Sequence, residues 1–130
     1  NKLHLLALKS VKKYFDSYIT DVIGAEGGFP RKPSPDSTLF MLKKFDCHPS
    51  NAFFVGDSIV DIKTAKNANI SSVAVSWGNG EIEDFRKQKS DYIIHNPKEI
   101  LDVFHYWKSH KSLLLEFLRF ITKYIMYFVN

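Results

Sequence analysis

The sequence predicts an α/β fold organised around a parallel sheet, and the short stretch from Phe53 to Ile62 carries that expectation. Phe53, Phe54 and Val55 form an apolar run of the kind that suits a strand covered on both faces. Gly56 then lets the backbone turn sharply without a Cβ clash. Beyond it Ile62, Ala65 and Ala68 recur at helical spacing, and the alanines are small enough to pack closely on a sheet. Strand, turn and helix in that order set Asp57 at the carboxyl end of a strand and Asp61 in the first turn of the next helix. Both carboxylates then open onto one crevice, where open α/β sheets bind ligands.

Two ionised carboxylates held that close repel each other, and a hard divalent cation such as Mg2+ is a ready way to satisfy them. A plainer reading also accounts for both residues. Asp61 would complement the helix dipole, and Asp57 would bond the amides of a turn. For a lone pair of this spacing the plainer reading is the stronger; a second element upstream changes the balance.

The 130 residues are 45% hydrophobic, with no internal repeat and no low-complexity tract, which fits one domain large enough to bury a core. The formal charge of +4 is uneven: from Phe104 onward Lys108, Lys111, Arg119 and Lys123 face only Glu116. Cys47 is the single cysteine, which rules out an internal disulfide framework and fits a reducing, cytoplasmic setting. It has no cysteine partner nearby and reads as a packing residue. His4, His48, His95, His105 and His110 show no metal-ligand spacing and read as surface or partly packed side chains.

The chain opens on Asn1 with neither an initiator Met nor a signal-peptide pattern, as though cut from something longer. Leu5, Leu6, Leu8, Val11 and Tyr14 predict an amphipathic helix ending near Phe15, with Lys9, Lys12 and Lys13 on its solvated face. Residues 18–23 read as a short strand closed by Gly24, Gly27 and Gly28. Next comes Lys32-Pro33-Ser34-Pro35-Asp36, where a proline after Lys32 favours an extended, stiff presentation of the ammonium. Ser34 suits a helix N-cap, Pro35 the first helical position and Asp36 the positive helix end; the helix should run to about Phe45. Lys32 is the residue that local structure leaves over. Fixed ahead of a carboxylate pair, it could stabilise a phosphate, although a lone loop lysine is more often a solvated charge.

Lys32-Pro33-Ser34-Pro35, a helix, and then Phe54-Val55-Gly56-Asp57-Ser58-Ile59-Val60-Asp61 followed by Ala65, Ala68 and Asn69 closely resemble the third and fourth motifs of haloacid dehalogenase-superfamily phosphatases. Within that superfamily the resemblance is to the phosphoglycolate phosphatase group and its pyrophosphatase and nucleotidase relatives. It extends through a second parallel-type strand at residues 72–76, the loop Trp77-Gly78-Asn79-Gly80, a short helix at 82–87, a small strand at 91–94 and a closing helix at 97–103. Trp77 would shape the rim of the site or simply pack there.

The resemblance implies a Rossmann-like three-layer sandwich with a parallel sheet, incomplete in this chain. Residues 1–103 would be the carboxyl-terminal part of the hydrolase core and 104–130 a helical tail. It implies Mg2+-dependent hydrolysis of a small phosphorylated metabolite through a phosphoaspartate. Lys32 would stabilise the transferred phosphoryl group, Asp57 would be a metal ligand, and Asp61 a ligand or a partner of metal-bound water. Asn1 and Lys2 resemble the residues that follow the family's phosphate-binding Ser or Thr, which implies substrate contacts there. No Asp-x-Asp-Gly-Thr-like nucleophile sequence occurs in these residues, so the resemblance places the nucleophile, the first strands and the cap upstream. Such a chain would belong to a longer enzyme, would associate to fill the gap, or would be a non-catalytic binding or assembly module that keeps the fold.

Residues 113–129 are strongly apolar, with Glu116, Arg119 and Lys123 on one helical side. They predict an amphipathic C-terminal helix, and its charges argue against a spanning helix. The helix would pack on the body or join a homo-oligomer; its basic and aromatic residues leave a membrane-surface role as the alternative. The body's basic residues are scattered and form no nucleic-acid-binding module.

Overall fold

The computed structural model describes residues 4–15, 18–24 and 28–110. Asn1, Lys2 and the apolar tail of residues 111–130 lie outside them. The elements run α1 (His4–Tyr14), α2 (Asp36–Lys44), a 3-10 turn (Pro49–Asn51), β1 (Phe53–Gly56), α3 (Ile59–Asn67), β2 (Ser71–Val75), α4 (Ile82–Lys87), β3 (Tyr92–Ile94) and α5 (Glu99–His110). The strands form a parallel sheet in the order β1-β2-β3. Its register pairs Val55 with Val73 and Val73 with Tyr92. Because all strands run the same way, Gly56, Val75 and Ile94 finish on one edge, and the residues after them share that edge.

The sheet is the middle of three layers, as its alternating side chains require. Phe54 points to one face, where Leu42 of α2 and Ala65 of α3 complete a buried cluster with Cys47, Ala68 and Ile70. Cys47 is thus the packing residue expected. Val55, Val73, Val75 and Ile94 point to the other face and meet Val103 of α5. Farther along the first face, Ala74 packs with Ile62 and with Phe85 of α4, which is fully buried. At the amino end of the strands, Asp91 accepts bonds from the backbone N–H and the hydroxyl of Ser72, both at 2.8 Å, which ties β3 to β2.

Three helices end by the same device. Asp46, Asn69 and Lys89 take positive φ angles of 49°, 56° and 52° after α2, α3 and α4. In each case the following N–H reaches back to close the helix: Cys47 to the Leu42 carbonyl, Ile70 to Ala65 and Ser90 to Phe85, at 2.8–3.0 Å. This left-handed terminus usually takes glycine, yet none of the three positions holds one.

Several expectations are revised. Residues 19–24 form no strand, because a strand needs a hydrogen-bonding neighbour and the described sheet consists of β1, β2 and β3. They are tied instead through Asp21, which pairs with Lys44 of α2 at 2.5 Å. Helix α1 forms, but Leu5, Leu6, Leu8 and Tyr14 remain 42–64% exposed, with Ala7 its buried residue. Its apolar pattern therefore fits a helix whose face is uncovered among the described residues. Helix α2 starts at Asp36, with Pro35 rather than Ser34 at the cap position; the Ser34 hydroxyl still accepts from the Asp36 N–H at 3.3 Å. Helix α5 continues past Val103 to His110, and Trp107 on it packs edge-to-face on Phe53, with ring centroids 5.4 Å apart. No helix among the described residues is long and apolar enough to cross a membrane.

Lys89 is exposed, so its side chain loses little on removal while its Cβ is strained by the positive φ. Lys89→Gly is expected to raise stability by about 0.5–1 kcal/mol, read as a higher urea midpoint. An unchanged or lowered midpoint would show that no strain resides there.

Candidate active site

The site begins where β1 stops. Ser58 has extended dihedrals (φ −140°, ψ 159°) and caps α3, its hydroxyl oxygen accepting from the Asp61 N–H at 3.3 Å. Asp61 returns the bond: its Oδ2 accepts from the Ser58 N–H at 3.1 Å and from the Ser58 hydroxyl at 2.6 Å. This is a reciprocal capping box, and it folds the Asp61 side chain back over the end of the strand. Gly56 lies directly beneath, since a Cβ there would stand 2.3 Å from the Asp61 Cβ. The glycine is therefore required by close approach of a carboxylate, whereas its backbone is not in the left-handed region that would demand one for the turn.

The other Asp61 oxygen meets Lys32, 29 residues upstream. Lys32 Nζ lies 2.6 Å from Asp61 Oδ1, and the two side chains are 13% and 2% exposed. The Lys32–Pro33 peptide is cis. The Asn67 side-chain amide at the end of α3 donates to the Pro33 carbonyl at 2.8 Å, so α3 grips the loop at both of its ends. The Lys32 ammonium also lies 5.8 Å from the centre of the Phe54 ring. The loop lysine is thus a nearly buried, paired cation rather than a solvated charge.

Asp57 is held by a different element, the loop after β2. Its Oδ2 accepts from the Asn79 backbone N–H at 3.0 Å and from the Asn79 side-chain amide at 2.8 Å. A Cβ on Gly78 would stand 2.1 Å from the Asp57 Cβ, so that loop can approach only as glycine. On the same sheet edge, His95 Nδ1 lies 3.1 Å from the Ser76 hydroxyl.

The structure therefore brings Lys32 and Asp61 into contact and sets Asp57 on the adjoining strand end. Trp77 is 44% exposed on the loop. Asn79 and the capping role of Ser58 are what sequence reasoning missed, although the glycines on both sides of Asn79 were a usable signal. Among the described residues, no group of three or more His, Cys, Asp or Glu side chains is placed to hold a metal. The donor set still fits Mg2+, which binds through one or two carboxylates and completes its shell with water and substrate phosphate. Asp57, partly exposed at the sheet edge, is the carboxylate placed for such contact.

A parallel α/β core of Rossmann-like type, with a lysine and two aspartates gathered at the carboxyl edge of its strands, is the class of fold present, and comparison with known proteins gives the family. The model of haloacid dehalogenase-like hydrolases matches residues 6–75, and the chain belongs to that family. It is 31% identical over 100 residues to the pyrophosphatase PpaX of Oceanobacillus iheyensis, covering 75% of this chain and 44% of that protein. A phosphoglycolate phosphatase of Vibrio vulnificus is 30% identical over 86 residues, 66% of this chain and 38% of its own. A haloacid dehalogenase-like family hydrolase of Streptococcus pneumoniae superposes with a TM-score of 0.71 at 26% identity, over 78% of this chain and 48% of that one. The chain thus spans less than half the length of these relatives.

Ser58→Ala removes the cap oxygen and is expected to cost about 1 kcal/mol of stability. Asp61→Ala removes the same box and also strands the Lys32 ammonium, so its expected cost is larger, about 3 kcal/mol. Urea denaturation of the two variants checks this. Equal losses would mean that Lys32 draws nothing from Asp61.

Proposed function

We propose that this chain supplies the lysine and metal half of the active site of a Mg2+-dependent phosphomonoester hydrolase, of the kind its phosphoglycolate phosphatase and pyrophosphatase relatives are named for. The observation that carries the reading is the buried Lys32–Asp61 pair beside Asp57 at the carboxyl edge of a parallel sheet. The substrate would be a small phosphorylated metabolite.

In this reading Lys32 faces the phosphoryl oxygens and offsets charge that builds on them during transfer. Asp61, whose oxygens already accept from Lys32 and Ser58, holds that ammonium in place; this supports a positioning role over direct metal ligation. Asp57 is the metal ligand contributed by this chain. Mg2+ would polarise the phosphoryl oxygen and lessen repulsion between the phosphate and the site's carboxylates. No Asp-x-Asp-Gly-Thr-like sequence occurs in the 130 residues, so in this reading the attacking aspartate would have to come from outside them. That carboxylate would bond to phosphorus as the ester P–O bond breaks and the leaving oxygen takes a proton from the second aspartate of the same motif; water, giving its proton back to that aspartate, would then split the phosphoaspartate into phosphate and the free carboxylate.

Hydrolysis of p-nitrophenyl phosphate tests the reading, using this chain and a version with any residues that precede Asn1 in the native polypeptide. Activity is expected in the longer version with Mg2+, and it should fall about 100-fold or more in Lys32→Ala and Asp57→Asn. A folded longer version that hydrolyses neither this ester nor any of a panel of phosphorylated metabolites would instead identify a binding or assembly module.

A further inference from the structure

We propose that Asn79 is a positioning residue for cation binding: its paired N–H donors hold the Asp57 carboxylate in the orientation that receives Mg2+. The inference rests on the reading of Asp57 as a metal ligand and adds to it a residue on a separate element. Asn79 lies 22 residues beyond Asp57, and both of its donors converge on the same oxygen, Oδ2. The loop encloses Asp57 on further sides. Gly78 leaves no room for a Cβ beside the Asp57 side chain, and a Cβ on Gly80 would stand 2.6 Å from the Asp57 carbonyl oxygen and 2.5 Å from the Phe85 ring. Phe85 itself is fully buried, so the loop rests on a fixed floor.

Asp57 follows the last residue of β1 and has two side-chain torsions to order before it can receive a cation. Two neutral N–H donors on one oxygen fix those torsions in advance while leaving the carboxylate its charge. A cation then binds without first ordering its ligand, the usual benefit of preorganisation. Groups that orient a metal ligand in this manner typically change affinity by 10–100-fold when removed. Asn79→Ala keeps the backbone donor and removes the amide one, so the lower end of that range applies.

Mg2+ titration of the 15N-labelled chain, followed in amide correlation spectra, provides the test. The Asn79 backbone and side-chain amide signals are expected to shift with saturation in the wild-type chain and to lose that response in Asp57→Asn. Asn79→Ala should weaken Mg2+ binding about tenfold while its spectrum and urea midpoint in EDTA stay near those of the wild type. Wild-type affinity in Asn79→Ala would overturn the proposal and leave the Asp57 assignment standing. Wild-type affinity in Asp57→Asn, or no saturable binding by the wild-type chain, would overturn both. Should Asn79→Ala fail to fold, Asn79→Ser, whose hydroxyl is one bond shorter than the amide, is measured in its place and judged by the same outcomes.

Discussion

The carboxylate of Asp61 is the point on which the rest of the structure converges. It accepts three donors, the Lys32 ammonium and both the N–H and hydroxyl of Ser58, while lying across Gly56 at the end of β1. One side chain thereby joins the loop before α2, the start of α3 and the carboxyl end of a strand. Buried as it is, an unpaired carboxylate there would be costly, and each of the three donors lowers that cost. Lysine placement and helix capping are consequently one event. The helix cannot start correctly without presenting the group that captures the lysine.

The second carboxylate obeys the same geometry with different chemistry. Gly78 stands to Asp57 as Gly56 stands to Asp61: in both places a missing Cβ makes room for a carboxylate. The donors differ. Asp61 accepts from the Lys32 ammonium, and Asp57 accepts from two neutral N–H groups of Asn79. Parallel strands make the arrangement economical, since the ends of β1 and β2 arrive at one edge and the turn after each is free to serve the site.

How much of this was legible from the sequence depends on whether a residue's role is set locally. The apolar run before Gly56, the helix spacing of Ile62, Ala65 and Ala68, and the helix at 82–87 were readable because burial of that run and of one helix face fixes them. Lys32 stood out because prolines fixed its loop. Residues 18–23 misled for a physical reason: an extended apolar segment becomes a strand only through another strand's hydrogen bonds. The leucines of α1 gave the right helix but not its burial, since amphipathicity says which face wants cover and not what supplies it. Ser58 and Asn79 stayed hidden because serine and asparagine are ordinary in turns; their bonds to the carboxylates exist only once the chain is folded.

The charges around the sheet edge explain why a cation belongs in the proposed chemistry. Lys32 compensates Asp61, and the hydrogen bonds from Asn79 stabilise the Asp57 charge without cancelling it. Among these three ionisable side chains, one net negative charge therefore remains where a phosphate would approach. A phosphate dianion brought to that edge would be drawn by the lysine and repelled by Asp57. A divalent cation on Asp57 reverses the sign there and makes the two groups act together on the same phosphate. In the proposed chemistry the buried Lys32–Asp61 pair would serve placement, while the Asp57 carboxylate, oriented by Asn79 at the sheet edge, would serve binding.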